Sequence, residues 1–174
     1  LAGSTEVVSF QYAPGREVIA APPVAWRSIS GLSLGRPSPL AQAEWLAADI
    51  AAGLPHVFAS TSEQFIPQML NVDLIDGVSY TKGCYAGQEI VARTHHLGRV
   101  KRRTLRFHLP ADGAAPAPLS HLLLEGVKAA DVLMTAETDD GIELLAVTNL
   151  DAAGKALQLE DGRNAEPRPL PYSQ

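Results

Sequence analysis

The sequence holds one cysteine in 174 residues, so no internal disulfide framework can form and no four-cysteine iron-sulfur site can be built within one chain. It has no run of about 18 apolar residues and no charged-then-apolar leader, which argues against a membrane span or a secretory signal. Zinc spacing is missing as well. The histidines, His56, His95, His96, His108 and His121, are scattered or adjacent, and no metal site is expected. Asn71, Asp73 and Asp76 lack the Gly and terminal Glu of a calcium loop and read as turn residues. Repeats and low-complexity tracts are absent. What is present is a globular composition, 46% apolar, enough for one domain or two small ones in a reducing, cytoplasmic setting. Leu1 to Ser4 carries no initiator Met, and the chain is expected to begin in mid-protein.

The net charge of -5 hides an asymmetry. From Lys82 to Arg106 stand seven basic residues and one acid, a window of +6 that leaves -11 for the remainder. Such a stripe suits a polyanionic partner, or is simply a solvated face.

Along the chain, Glu6–Phe10 and Glu17–Ala21 are β-like runs around Ala13-Pro14-Gly15-Arg16, a hairpin composition, and Val24–Ile29 is a further strand candidate. Gly31-Leu32-Ser33-Leu34-Gly35 matches a hydrolase elbow in letters only, because Arg36-Pro37-Ser38-Pro39 follows where a helix is required. Pro39–Ala52 is the clearest helix: Leu40, Ala43, Leu46, Ala47 and Ile50 recur at three and four, Ser38 can cap it and Gly53 can end it. Trp45 flanks that stripe and reads as a core or rim aromatic; His56 reads as structural. Ser60–Asp76 has no periodicity and is expected to be an irregular packed loop. After Gly98 the chain alternates through Val100–Leu109. Short runs at Leu122–Val127, Ala130–Ala136, Ile142–Val147 and Lys155–Leu159 then predict a small β-barrel or sandwich. The proline-rich stretch Pro167–Tyr172 reads as an extended tail. The expected fold class is α+β, with an α+β region over 1–97 and an antiparallel β-barrel over 98–174.

Lys82-Gly83-Cys84-Tyr85-Ala86-Gly87-Gln88-Glu89 carries the chemistry. If Thr81–Tyr85 is extended, Lys82 and Cys84 share a face and the ammonium favours the thiolate. A helix over Gln88–His96 would place its positive end beside the same thiol. The competing reading is a small buried cysteine. His95 and His96, neighbours near the helix end, are expected to face solvent in different directions.

These residues also carry a resemblance. Ser62–Gln68, Lys82–Glu89 and Ala92-Arg93, with Ala43–Pro55 and the tail Pro169–Ser173, resemble the YgfZ family of folate-binding proteins, relatives of the aminomethyltransferase (T-protein) of glycine cleavage. The resemblance implies the later part of a T-protein-like folate-binding domain followed by a small antiparallel β-barrel. It also implies tetrahydrofolate or a derivative as ligand, and a role in iron-sulfur cluster assembly or repair in client enzymes, tRNA-modifying enzymes included. A long first portion of the family's fold is expected to precede residue 1, so exposed surface and self-association are expected.

By the same resemblance Cys84 is the active thiol, with Lys82 beside it, and Trp45 contributes to the folate site. Tyr85, Gln88, Glu89 and Arg93 match motif positions and are candidate cofactor-binding residues. Two other readings stay open. One is a tetrahydrofolate-dependent one-carbon transferase of the aminomethyltransferase type; the other is a nucleic-acid-binding module using the basic stripe, with direct tRNA contact. No membrane partner is expected.

Overall fold

The computed structural model of the chain describes residues 8–13, 16–20 and 39–173, with side chains from residue 43 onward. The chain divides into two compact units, Leu1–Ser38 and Pro39–Gln174. In the first, β1 (Val8–Ala13) pairs antiparallel with β2 (Arg16–Ala20), from Val8 opposite Ala20 to Ala13 opposite Arg16. This is the hairpin that two β-like runs around a Pro-Gly turn predict. The strand candidate Val24–Ile29, the elbow-like residues 31–35 and the capping Ser38 lie outside the described residues.

The second unit begins with α1 (Pro39–Ala52), the helix expected from its apolar spacing. Leu46, Ala47 and Ile50 deliver that stripe to a core, where Ile50 is fully buried. Gly53 ends the helix at φ +69°, a left-handed conformation open mainly to glycine. A Cβ there would lie 2.6 Å from the Tyr172 hydroxyl oxygen, so the C-terminal tail packs directly on the helix end. The other helix, α2 (Gln88–Leu97), begins at Gly87, which has φ +80°.

Six strands close an antiparallel barrel: β3 (Arg102–Leu109), β4 (His121–Leu124), β5 (Val127–Thr138), β6 (Gly141–Asn149), β7 (Leu157–Leu159) and β8 (Asn164–Arg168), in the spatial order β3-β6-β5-β4-β7-β8. Closure comes from β8 against β3, with Phe107 opposite Pro167 and His108 opposite Glu166. The sequence reading has Pro167 and Arg168 in an extended tail and assigns no strand to Asn164–Glu166, because Asn-Ala-Glu-Pro-Arg has no strand signature. The need to pair the open edges of β3 and β7 makes it a strand. Pro167 costs one ladder donor there.

Alternation decides which side chains fill the barrel. On β6, Ile142, Leu144 and Ala146 point to the interior cluster with Phe107, Leu122 and Leu157, while Leu145 and Val147 face out. On β5 a bulge between Val132 and Met134 breaks the phase, so Leu133 and Met134 both join the outer cluster. That outer face receives α1 and the irregular segment through Ile50, Leu70, Phe65 and Met69. Residues on both sides of Gly98 therefore share one core. Among the described residues, no helix is long and apolar enough to cross a membrane.

Candidate functional site

The irregular segment expected at Ser60–Asp76 folds as a series of turns, and polar bonds to the start of β3 hold it. Arg103 donates a two-pronged bond to Asp73, at 2.9 and 3.0 Å, and another to the Gln68 carbonyl at 3.0 Å. Asn71 is fully buried at φ +59° and donates to the Thr104 carbonyl at 2.7 Å. The Thr104 hydroxyl donates to the Met69 carbonyl at 2.9 Å, and the Gln68 amide donates to the Val91 carbonyl at 2.7 Å, tying α2 to the segment. Tyr172 completes the seam by donating to the Gly53 carbonyl at 2.8 Å. Burial holds its phenol above the ordinary value, against the opposing hydrogen bond from Asn71. His56 is anchored as a structural residue would be, 2.8 Å from the buried Asp49 carboxylate.

The cysteine motif rises from this floor as a loop. The extended backbone expected over Thr81–Tyr85 does not form: Tyr80–Lys82 is a bend, whose turn the Ser79 hydroxyl stabilises by accepting the Lys82 N–H at 3.2 Å. Gly83 at its centre weakens a strand, and no neighbouring strand pairs with it among the described residues. The same-face argument for Lys82 and Cys84 therefore fails. Instead the Lys82 ammonium lies 4.6 Å from the centroid of the Tyr85 ring, a cation–π arrangement. Cys84 is exposed, which overturns the buried-cysteine reading. Helix α2 does start shortly after it, and the Gln88 N–H donates to the Tyr85 carbonyl at 3.2 Å.

Beside this loop lies a cavity of about 380 Å³. Phe65, Leu70, Val72, Val78 and Val91 give it apolar walls, Thr61, Ser79 and Glu63 add polar atoms, and Lys82 and Tyr85 bring the motif to it. The other sequence candidates stand elsewhere. Trp45 sits on α1, 46% exposed and outside the lining. Cys84, Gln88, Glu89 and Arg93 do not line it either; Glu89 and Arg93 face each other across one helical turn at 3.9 Å, both exposed. Sequence reasoning gave the cavity walls no role. Their signal was the concentration of apolar residues, Phe65, Ile66, Met69 and Leu70, in a stretch without periodicity, which has to bury them somewhere.

The basic stripe divides in two. Arg102 pairs with Asp131 at 2.5 Å, Arg103 with Asp73, and Arg106 with Glu143 at 2.8 Å, all three arginines being half-buried. Burial pushes the Asp131 carboxyl up, but hydrogen bonds from Lys128 and Arg102 outweigh it and leave it below its ordinary value. Among the described residues, no carboxylate pairs with Lys82, Arg99 or Lys101.

The chain is 39% identical over 140 residues to the tRNA-modifying protein YgfZ of Yersinia pestis (strain Pestoides F), covering 75% of this chain and 42% of that protein. The chain belongs to the YgfZ family. The YgfZ of Cronobacter sakazakii (strain ATCC BAA-894) is likewise 39% identical over 144 residues, 76% of this chain and 43% of that protein. The chain thus spans less than half the length of the YgfZ proteins it matches. No family model matches it. The YgfZ resemblance read from the Lys82–Glu89 motif holds over most of the chain.

Proposed function

We propose that this chain contributes a tetrahydrofolate-binding site to a protein that supports iron-sulfur cluster assembly or repair in client enzymes, among them enzymes that modify tRNA. The observation that carries the reading is the meeting of the motif and the cavity at Lys82 and Tyr85. Its volume falls within the range of about 300–1,000 Å³ usual for small-ligand pockets. A folate presents a flat heteroaromatic ring with N–H donors and an anionic tail. Phe65 and the valines suit the ring's faces, the Glu63 carboxylate and the Thr61 and Ser79 hydroxyls suit its polar edge, and the Lys82 ammonium suits the tail. When bound, tetrahydrofolate supplies nitrogens that carry one-carbon units. The aromatic groups at this cavity are Phe65 and Tyr85 rather than Trp45. Cys84, next to Tyr85 and exposed, is the thiol presented to client enzymes.

Calorimetric titration of tetrahydrofolate into the chain tests this. Saturable binding is expected, weakened about tenfold by Phe65→Ala through loss of ring contact, and less by Lys82→Ala. Binding unchanged in both variants but lost in Trp45→Ala would move the site to α1 and overturn the cavity assignment. A folded chain with no heat of binding would overturn the ligand.

A further inference from the structure

Arg99 and Lys101, which no carboxylate pairs among the described residues, gather with the exposed Arg93, which meets Glu89 only at 3.9 Å, beside a small stack of rings. Tyr80 and His95 stack with centroids 3.8 Å apart and planes 17° from parallel. His96 meets His95 edge-on at 4.8 Å and 75°. Both histidines are exposed at the last turn of α2, and Leu97 is 86% exposed. Arg93 precedes His96 by three residues and Leu97 by four, which places all three on one helical face. Arg99 and Lys101 follow at once, both exposed. The chain turns tightly between them and the helix: a Cβ at Gly98 would lie 3.1 Å from the Thr94 carbonyl oxygen. The Leu150 N–H fixes the far end by donating to the Lys101 carbonyl at 3.0 Å.

We infer that residues 93–101, with Tyr80, form a contact surface for single-stranded RNA. Two unpaired cations, Arg99 and Lys101, and Arg93, whose exposed pair with Glu89 at 3.9 Å is screened by solvent and leaves it able to meet a phosphate, stand in a chain whose remainder is acidic, so the patch is where a polyanion is drawn. Charge alone would suit any polyanion. The rings narrow the choice, because unpaired bases stack on aromatic and imidazole faces whereas an acidic peptide has nothing to place there. The stack on Tyr80 orders His95 before any ligand arrives, which lowers the entropy lost on binding. From His95 to Lys101 the backbone can span at most about 20 Å, room for a few nucleotides. Arg102, Arg103 and Arg106 take no part, since their carboxylates already neutralise them. This surface goes beyond the proposed function and does not involve the cavity.

The test is fluorescence anisotropy of a labelled, unstructured 12-nucleotide RNA with the whole chain across a salt series. Three neutralised phosphates give a slope of about -2 in log K against log salt, or roughly a 20-fold loss between 50 and 200 mM. Arg99→Glu with Lys101→Glu should flatten the slope below about 1. His95→Ala with His96→Ala should weaken binding at least about fivefold while leaving the slope unchanged. Polyglutamate of equal charge should compete poorly. All four positions are exposed, and a denaturation curve for each variant excludes misfolding. No salt-dependent binding, an unchanged charge-reversal variant, or equal competition by polyglutamate with neutral histidine variants would each overturn the inference, the last pointing to an acidic protein. Tetrahydrofolate affinity should be unaffected in these variants, so failure here leaves the folate reading standing.

Discussion

In the barrel, order follows from side-chain alternation: Phe107, Leu122, Leu144 and Leu157 are fully buried within a ring of backbone hydrogen bonds that closes on itself. Between Leu54 and Gly98 only α2 is regular, and a few polar groups, Arg103, Asn71, Thr104 and Gln68, seat the irregular part on the barrel's outer face. The barrel's stability is spread over a closed ladder and many apolar contacts, whereas the segment rests on one apolar cluster, with Phe65, Met69, Leu70 and Val72, and a few polar bonds. Local opening free energies should differ accordingly, with the segment opening well before the barrel does. The irregular segment and α2 carry the motif, the cavity and the ring stack. A rigid barrel therefore serves as the platform on which a looser, chemically equipped segment is displayed.

The largest effect should come from breaking the platform. Leu144→Ala removes a fully buried side chain from a closed interior that cannot collapse around it, at a cost of about 3–4 kcal/mol. Urea denaturation should show the barrel and segment lost together, because the segment has no seat without the outer face. A segment that survives barrel loss would dissolve the comparison. Arg103→Ala strikes the seam instead. It leaves Asp73 and the Gln68 carbonyl short of a donor, and the 14% exposure of the pair permits partial rehydration, so about 2 kcal/mol is expected. Hydrogen exchange should then accelerate across residues 60–77 while β5 and β6 keep their protection. Uniform acceleration would show that the seam belongs to the global fold.

The two regions also differed in how far the sequence revealed them. Helix α1 followed from Leu46, Ala47 and Ile50 at helical spacing, α2 from Gly87, and five of the six barrel strands from alternation and turn residues. Those signals are local. The closing strand β8 was hidden because Asn164–Arg168 owes its conformation to the edges it fills. The bulge at Val132–Met134, which turns two consecutive side chains outward, leaves no composition cue. The motif's position was legible in Lys82–Glu89, yet its extended backbone was not realised, and Lys82 turned to Tyr85. The basic stripe misled for a related reason. Three of its arginines meet carboxylates at Asp73, Asp131 and Glu143, about 30 or more positions away in sequence, and only the fold brings them together.

Acid should separate the regions in a smaller way. The folded Asp131 carboxyl sits below its ordinary value of 3.8, so its contribution is present above that pH and is lost as pH falls from there through the folded value. Lys128 is 49% exposed and screened by solvent, so the loss should be modest. Asp131→Asn should remove this part of the acid sensitivity of the barrel, as read by thermal denaturation between pH 2 and 5, roughly the range in which a carboxylate titrates. The partners of Asp131 lie on the barrel, at Arg102, Lys128 and His121. Exchange within residues 60–77 should therefore respond to Asp131→Asn less than exchange in β4 and β5.

The smallest effect on stability, and the sharpest contrast with Leu144, belongs to Cys84→Ser. The thiol is exposed on a loop, and Gly83 beside it has no neighbouring atom within 4 Å of where a Cβ would stand. Surface changes of this kind shift stability by no more than about 0.5 kcal/mol. Native protein should react with a thiol-specific reagent at the rate of the unfolded chain, and the denaturation curve of the variant should overlay that of the parent. Slow native labelling would mean that the loop closes over Cys84 and that the motif is part of the ordered platform. Fast labelling with an unchanged fold, together with lost support of client enzymes, would place the cost of this residue entirely on function. The displayed segment would then be a region where chemistry can be altered without touching the structure beneath it.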